Sequence, residues 1–147
     1  MFVEEGVPVG LNISWLAVVV AIVVGIAIAG VTYSDKGPVG PTWRRLTGVT
    51  QADSAKAGKR PFAVLAAAIT VTALALALGY SMAAAFSNVH SVWLALAVGL
   101  IAWLGFSFST LAQHNAFEQK PAQLTAINSA YQLALFLGMS LPIGLLH

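Results

Sequence analysis

The chain has 147 residues, of which 59% are hydrophobic and 8% are charged, and its formal net charge is +2. Ordinary soluble domains are about 25% charged, so this composition excludes a water-soluble globular fold. Cysteine is absent, which excludes disulfides, thiolate metal sites and cysteine nucleophiles.

Four long apolar segments predict four transmembrane helices, and none of them contains Asp, Glu, Lys or Arg. A helix needs roughly 20 apolar residues to cross about 30 Å of hydrocarbon. A membrane β-strand would alternate polar and apolar residues, which the run from Trp15 to Val24 does not. The predicted fold class is an all-α membrane protein, a single transmembrane domain over residues 1–147 whose four transmembrane helices form an antiparallel bundle. The predicted spans are residues 13–33, 62–86, 92–113 and 122–146.

The loop between the first and second spans, residues 34–61, predicts a contact with the membrane surface. Glycines and prolines at 37–41 end the first helix, and Thr50 and Asp53 have the spacing of a capping box for a short helix. One interfacial tryptophan and four basic side chains are expected to contact lipid headgroups: Trp43, Arg44, Arg45, Lys59 and Arg60. The alternative is that these charges only determine topology.

The distribution of the basic residues predicts the orientation of the bundle. Six of the seven lie in the first loop, and Lys120 lies between the third and fourth spans. With four crossings these two loops share one side, which the positive-inside rule makes cytoplasmic. Both termini are then extracytoplasmic, together with Glu4 and Glu5, and the predicted localisation is the plasma or inner membrane of the cell. The same pattern favours membrane lipid as a partner over nucleic acid.

Polar residues on the third and fourth spans predict one candidate binding face. At 100° per residue, those on the third span fall within about 60° of one another, and those on the fourth occupy a similar arc. The candidate residues are Trp103, Ser107, Thr110, His114, Asn128 and Gln132. They predict either a pocket for a lipid headgroup or small solute, or hydrogen bonds between the two helices worth about 0.6 kcal/mol each.

The sequence predicts no catalytic residues, no metal site and no cofactor. Ser107 and His114 are seven residues apart, about 10.5 Å along a helix, which is too far for a direct hydrogen bond. His90 and His147 lie on the opposite side of the membrane from His114, and no carboxylate lies within a span. We therefore expect that the protein is not an enzyme.

Small residues recur at every fourth position on three spans and predict close helix packing. Because lipid is as apolar as leucine, such faces let helices approach through their backbones. The three sets are Ala17, Ala21, Gly25 and Ala29 on the first span, Ala63, Ala67, Ala75, Gly79 and Ala83 on the second, where Val71 interrupts the series, and Ala126, Ala130, Ala134 and Gly138 on the fourth.

Several short motifs, taken in their order, resemble an uncharacterised bacterial membrane protein family, domain of unknown function number 1761. They are Asn12 with Trp15-Leu-Ala-Val18, Tyr33-Ser34, Trp43 with Leu46-Thr-Gly48, Gly79-Tyr80, Trp103-Leu-Gly-Phe106, Phe117-Glu118, and Asn128 with Tyr131. The resemblance covers residues 12–146 and implies about four spans. It implies no activity, because the family has no established one.

The predicted function is that of a non-enzymatic multi-pass membrane protein, an accessory or self-associating subunit of an unknown process. Its expected partners are membrane lipid and either a second copy or a larger membrane protein. The alternative is a small lipid- or solute-binding carrier that uses the polar face between the third and fourth helices, and a membrane enzyme is the third hypothesis.

Overall fold

The structure is a computed structural model that describes residues 10–147, and within that range the chain forms helices and no strands. Glu4 and Glu5, assigned to the extracytoplasmic side above, lie outside the described residues. The helices are α1 (Trp15–Tyr33), α2 (Gly40–Thr47), α3 (Gln51–Ala57), α4 (Arg60–Ser87), α5 (Val92–Ala102), a π-helical segment (Trp103–Phe108), α6 (Ser109–Phe117) and α7 (Ala122–Leu145).

Four helices are long and apolar enough to cross a membrane, which confirms the prediction of an all-helical membrane protein with four such helices. They are α1, α4, the continuous helix Val92–Phe117 formed by α5, the π-helical segment and α6, and α7. Large apolar side chains project outward from all of them; Val64 and Ile101 are 61% and 69% exposed. Hydrocarbon solvates such surfaces without the cost they would have in water.

Side-chain caps and left-handed residues define the helix ends. The hydroxyls of Ser14 and Ser91 accept hydrogen bonds from the backbone N–H groups of Ala17 and Leu94, which starts α1 and α5. Gly48 ends α2 with a φ of 73°, a left-handed conformation that glycine adopts at little cost.

Packing centres on α7, which contacts α1 and α5 most extensively, while α4 packs against α1, α5 and α7. The small-residue face of α1 is buried: Ala17, Ala21, Gly25 and Ala29 all lie inside. The corresponding faces of α4 and α7 are largely exposed, at Ala63, Ala67 and Ala75 and at Ala126, Ala130 and Ala134. Within one copy of the chain, therefore, only the small-residue face of α1 is fully buried.

Hydrogen bonds connect α1 to its neighbours near both of its ends. Near the end of α1, the Tyr33 hydroxyl donates to Asn128 Oδ1 in the second turn of α7, at 2.8 Å. Before the start of α1, the carbonyl of Asn12 accepts from the Ser81 hydroxyl of α4, at 2.6 Å.

Candidate functional site

An aromatic cluster forms where α1, α2 and α7 meet beside the basic loop. The ring of Tyr33 lies edge-on against Trp43, with centroids 5.6 Å apart, and against Tyr131, with centroids 4.9 Å apart. Asn128 completes the aromatic cluster through its hydrogen bond with Tyr33. Edge-to-face pairs of this kind contribute about 0.5–1.5 kcal/mol beyond their burial. All four residues belong to the motifs on which the family resemblance rests.

The loop beside the aromatic cluster is held by Asp35. Arg44 Nε donates to Asp35 Oδ1 at 2.9 Å, and Gln51 Nε2 donates to Asp35 Oδ2 at 3.3 Å. Arg44 Nη1 also donates to the hydroxyl of Ser54 at 3.3 Å. These bonds connect α2 and α3 to the residues that follow α1, although exposed ion pairs of this type contribute less than about 1 kcal/mol each.

Asp53 forms the capping box that the sequence predicts at the start of α3. Its carboxylate accepts hydrogen bonds from the backbone N–H and the hydroxyl of Thr50, and the Thr50 hydroxyl accepts from the Asp53 N–H. The hydrogen bond from the Thr50 backbone N–H has the larger effect and the one from the Thr50 hydroxyl the smaller, and together they hold the pKa of Asp53 below its ordinary value.

The five residues expected to contact lipid headgroups fall into two groups. Trp43 is half-buried against Tyr33, and Arg44 is engaged with Asp35. The remaining three side chains are exposed: Arg45, Lys59 and Arg60.

The six residues of the candidate binding face are spread over several environments. Trp103 Nε1 donates to the carbonyl of Ser129 at 3.1 Å, and Asn128 is engaged with Tyr33. Thr110 and His114 are exposed, while Ser107 and Gln132 are half-buried. Among the described residues, no hydrogen bond joins two of the six.

The π-helical segment explains why the projected arc differs from the observed arrangement. Hydrogen bonds in a π-helix run from residue i to i+5 and widen the turn, so the 100° step of an α-helix does not hold from Trp103 to Phe108. The rings of these two residues, five positions apart, lie 5.3 Å from each other. The residues that follow, including Thr110 and His114, are rotated relative to an ideal α-helix.

Two polar residues between α6 and α7 were missed by the sequence analysis. Asn115 is buried, and its Nδ2 donates to Thr125 Oγ1 at 2.9 Å. Ser129 is buried, and its hydroxyl oxygen has no hydrogen-bond partner. The pairing of Asn115 with Thr125 depends on the turn at Gln119, which has a φ of 55°.

Several cavities open on the surface of the described helices, and two of them bear on the candidate functions. The first, an apolar groove of about 490 Å³, lies between α4, the third long helix and α7, and its lining includes Ala75, Gly79, Ile101, Phe106 and Phe136. The second, a niche of about 350 Å³ between α6 and α7, is lined in part by Lys120, Thr125 and Ser129. Neither lining includes Asn128 or Gln132.

The histidines are divided between two places. His114 is exposed on α6, whereas His90 and His147 contact each other at the level of the connection between α4 and α5. Burial, and next the charge of His90, lower the pKa of His147. In residues 10–147, no group of three or more histidine or carboxylate side chains is placed to hold a metal ion.

Comparison with known proteins gives one match. The model of the family described as "Protein of unknown function (DUF1761)" matches residues 16–144. No curated protein and no solved structure matches the chain.

Proposed function

The chain belongs to the DUF1761 family, and we propose that it is a non-enzymatic multi-pass membrane protein whose copies associate as subunits through the groove between α4 and the third long helix. The observation that carries this proposal is an apolar concavity of about 490 Å³ on the outer surface of a membrane protein. A surface whose only role is to face lipid does not need such a concavity, because acyl chains pack equally well against a smooth surface.

The proposed topology is an antiparallel bundle with the basic loop in the cytoplasm and both termini outside, in the plasma or inner membrane of a bacterial cell. It is supported by the hydrogen bonds between ends of different helices: the last residue of α1 bonds to the second turn of α7, and Ser81 late in α4 bonds to Asn12 before α1. The concentration of Lys and Arg in the first loop and at Lys120 supports the orientation.

The groove has the features of a helix-docking surface in lipid. Its wall includes Ala75 and Gly79 of α4, and small side chains let another helix approach closely. Two large side chains stand at its edge and project from the molecule: Ile101 and Phe106 are 69% and 77% exposed. Each copy thus carries both a groove and the side chains that could fill one.

A second copy is the occupant that this arrangement fits best. In a two-fold dimer the same patch serves on both sides, so a groove on one copy must receive a projection from the same patch of the other. Phe106 beside the groove supplies that projection. α1 cannot offer an equivalent small-residue surface, because its small face is already buried against α4 and α7.

Native mass spectrometry of the protein in lipid nanodiscs tests this function. We expect a defined oligomer for the wild type. Ala75→Leu fills the groove without a clash inside the monomer, since Ala75 is exposed, and Phe106→Ala removes the projecting ring. Each should raise the dissociation constant about tenfold or more, which corresponds to about 1.4 kcal/mol.

The matched control is Ala27→Leu, the same enlargement at an exposed position of α1 that does not line the groove. It should leave the oligomer unchanged. A wild type that is only monomeric in nanodiscs of native lipid would contradict the proposal. So would an equal loss of association in all three variants.

A second candidate function, lipid or solute binding between α6 and α7, is favoured by the niche beside Lys120. Lys120 in its lining, whose Nζ lies 3.8 Å from Glu118 Oε2, and the buried, unpartnered hydroxyl of Ser129 suit a ligand with an anionic group and acceptor oxygens. The same mass spectra distinguish the two functions. A carrier would appear as a monomer that retains one bound lipid or solute, and a self-associating subunit as an oligomer.

A further inference from the structure

Two histidines from distant parts of the chain face each other through their ring nitrogens. His90 lies in the connection between α4 and α5, and His147 follows α7. His90 Nδ1 and His147 Nε2 are 2.8 Å apart, the ring centroids are 4.8 Å apart, and the ring planes are within 16° of parallel. One proton between the two nitrogens accounts for this contact, because neutral imidazole has one donor and one acceptor nitrogen.

We propose that this pair is a binding site for Cu²⁺, in which His90 Nδ1 and His147 Nε2 are neighbouring ligands and the metal replaces the shared proton. Bonds from a metal to imidazole nitrogen are about 2.0–2.1 Å long. At their present separation of 2.8 Å, the two nitrogens would therefore subtend roughly a right angle at a metal bound to both.

A right angle between ligands selects among the metals that imidazole binds. It suits the tetragonal sites of Cu²⁺ and Ni²⁺ and the octahedral sites of Fe²⁺, whereas a tetrahedral Zn²⁺ site requires the nitrogens to be farther apart. Among these three ions, Cu²⁺ binds most tightly to a given set of nitrogen ligands.

The surroundings of the pair position one ring and leave space for the metal. Tyr80 packs edge-on against His147 with centroids 4.8 Å apart, which restrains that ring. Both histidines are exposed, which leaves the other positions of a shared ion to water.

Cu²⁺ titration of the full chain in nanodiscs of uncharged lipid tests the proposal. We expect one Cu²⁺ per chain, with a tetragonal electron paramagnetic resonance spectrum that shows coupling to two nitrogens. His90→Asn places an amide near the position of Nδ1, and His147→Gln places one near the position of Nε2. Both variants keep a polar side chain that cannot bind the metal as imidazole does. Each should weaken binding by about tenfold or more, since even the loss of residues that only orient ligands costs about 10–100-fold.

His114→Gln is the matched control, because His114 is an exposed histidine on α6 and is not part of this pair. Its affinity for Cu²⁺ should equal that of the wild type. The spectrum of the wild type is a second readout that does not depend on how the variants fold. No stoichiometric binding, a spectrum with one coupled nitrogen, or an equal loss of affinity in His114→Gln would overturn the proposal.

Discussion

Tyr33 connects three helices with a single side chain. Its ring contacts the rings of Trp43 in α2 and Tyr131 in α7, and its hydroxyl donates to Asn128. Removing the Tyr33 hydroxyl affects these two kinds of contact differently. The ring keeps its packing, while the Asn128 side chain loses a hydrogen bond that water replaces poorly near lipid.

We predict that Tyr33→Phe lowers the free energy of unfolding by about 0.6 kcal/mol, the average measured for hydrogen bonds between membrane helices, and by no more than about 1.7 kcal/mol, the largest value measured. Reversible unfolding in bicelles would measure it. Tyr131→Phe removes a hydroxyl from the neighbouring ring, which takes no part in the bond to Asn128, and should have a smaller effect. Equal effects of the two variants would show that the hydrogen bond contributes nothing of its own.

The helices differ in how much of them the sequence could predict. Length and lack of charge were sufficient to predict four helices able to cross a membrane, because these are properties of each segment alone. The π-helical segment from Trp103 to Phe108 was not predictable, because no residue type in it indicates that hydrogen bonds run from i to i+5 instead of i to i+4. The same limit applies to the pair Asn115 and Thr125, whose contact depends on the rotation of two helices.

The small-residue faces of α1, α4 and α7 illustrate the same limit. The spacing of Ala17, Ala21, Gly25 and Ala29 predicted a packing face on α1, and that face is buried. The identical spacing on α4 and α7 could not indicate that those faces would remain largely exposed. Periodicity identifies a surface suited to packing, but only the assembled helices determine which surface is covered.

We predict that Gly25→Ala destabilises the protein by about 1–3 kcal/mol, the usual cost of overpacking. A Cβ at position 25 would lie 2.8 Å from Ile69 Cγ2 and 3.0 Å from Met139 Sδ. Both neighbours are fully buried, and the branched side chain of Ile69 has little rotamer freedom. Gly30→Ala is the control on the same helix, because a Cβ there meets nothing within 4 Å. Thermal unfolding in one lipid would compare them, and equal stability of the two variants would refute close packing at Gly25.

At the scale of the whole molecule, charge and packing together determine how the chain lies in the membrane. The Lys and Arg residues lie in the 34–61 loop and at Lys120, and placing one such residue at the centre of a transmembrane helix costs about 2.5–3.5 kcal/mol on insertion scales. The hydrogen bond from Tyr33 to Asn128 joins the helix that precedes the first loop to the helix that follows Lys120. Both features favour a fold in which the two basic segments emerge on the same side.

Single-cysteine labelling of intact cells tests this topology without background, because the natural chain has no cysteine. Lys56→Cys and Glu118→Cys place a thiol at exposed positions of the two basic segments, and Val89→Cys places one in the exposed connection between α4 and α5. A membrane-impermeant maleimide should label Val89→Cys in intact cells and the other two only after permeabilisation. The physical reason is that four crossings would put both basic segments on one side, which the positive-inside rule makes cytoplasmic, and there their charges would face the anionic leaflet. Labelling of Lys56→Cys and Glu118→Cys from opposite sides would mean that the number of crossings between them is odd, and the four-span fold would have to be abandoned.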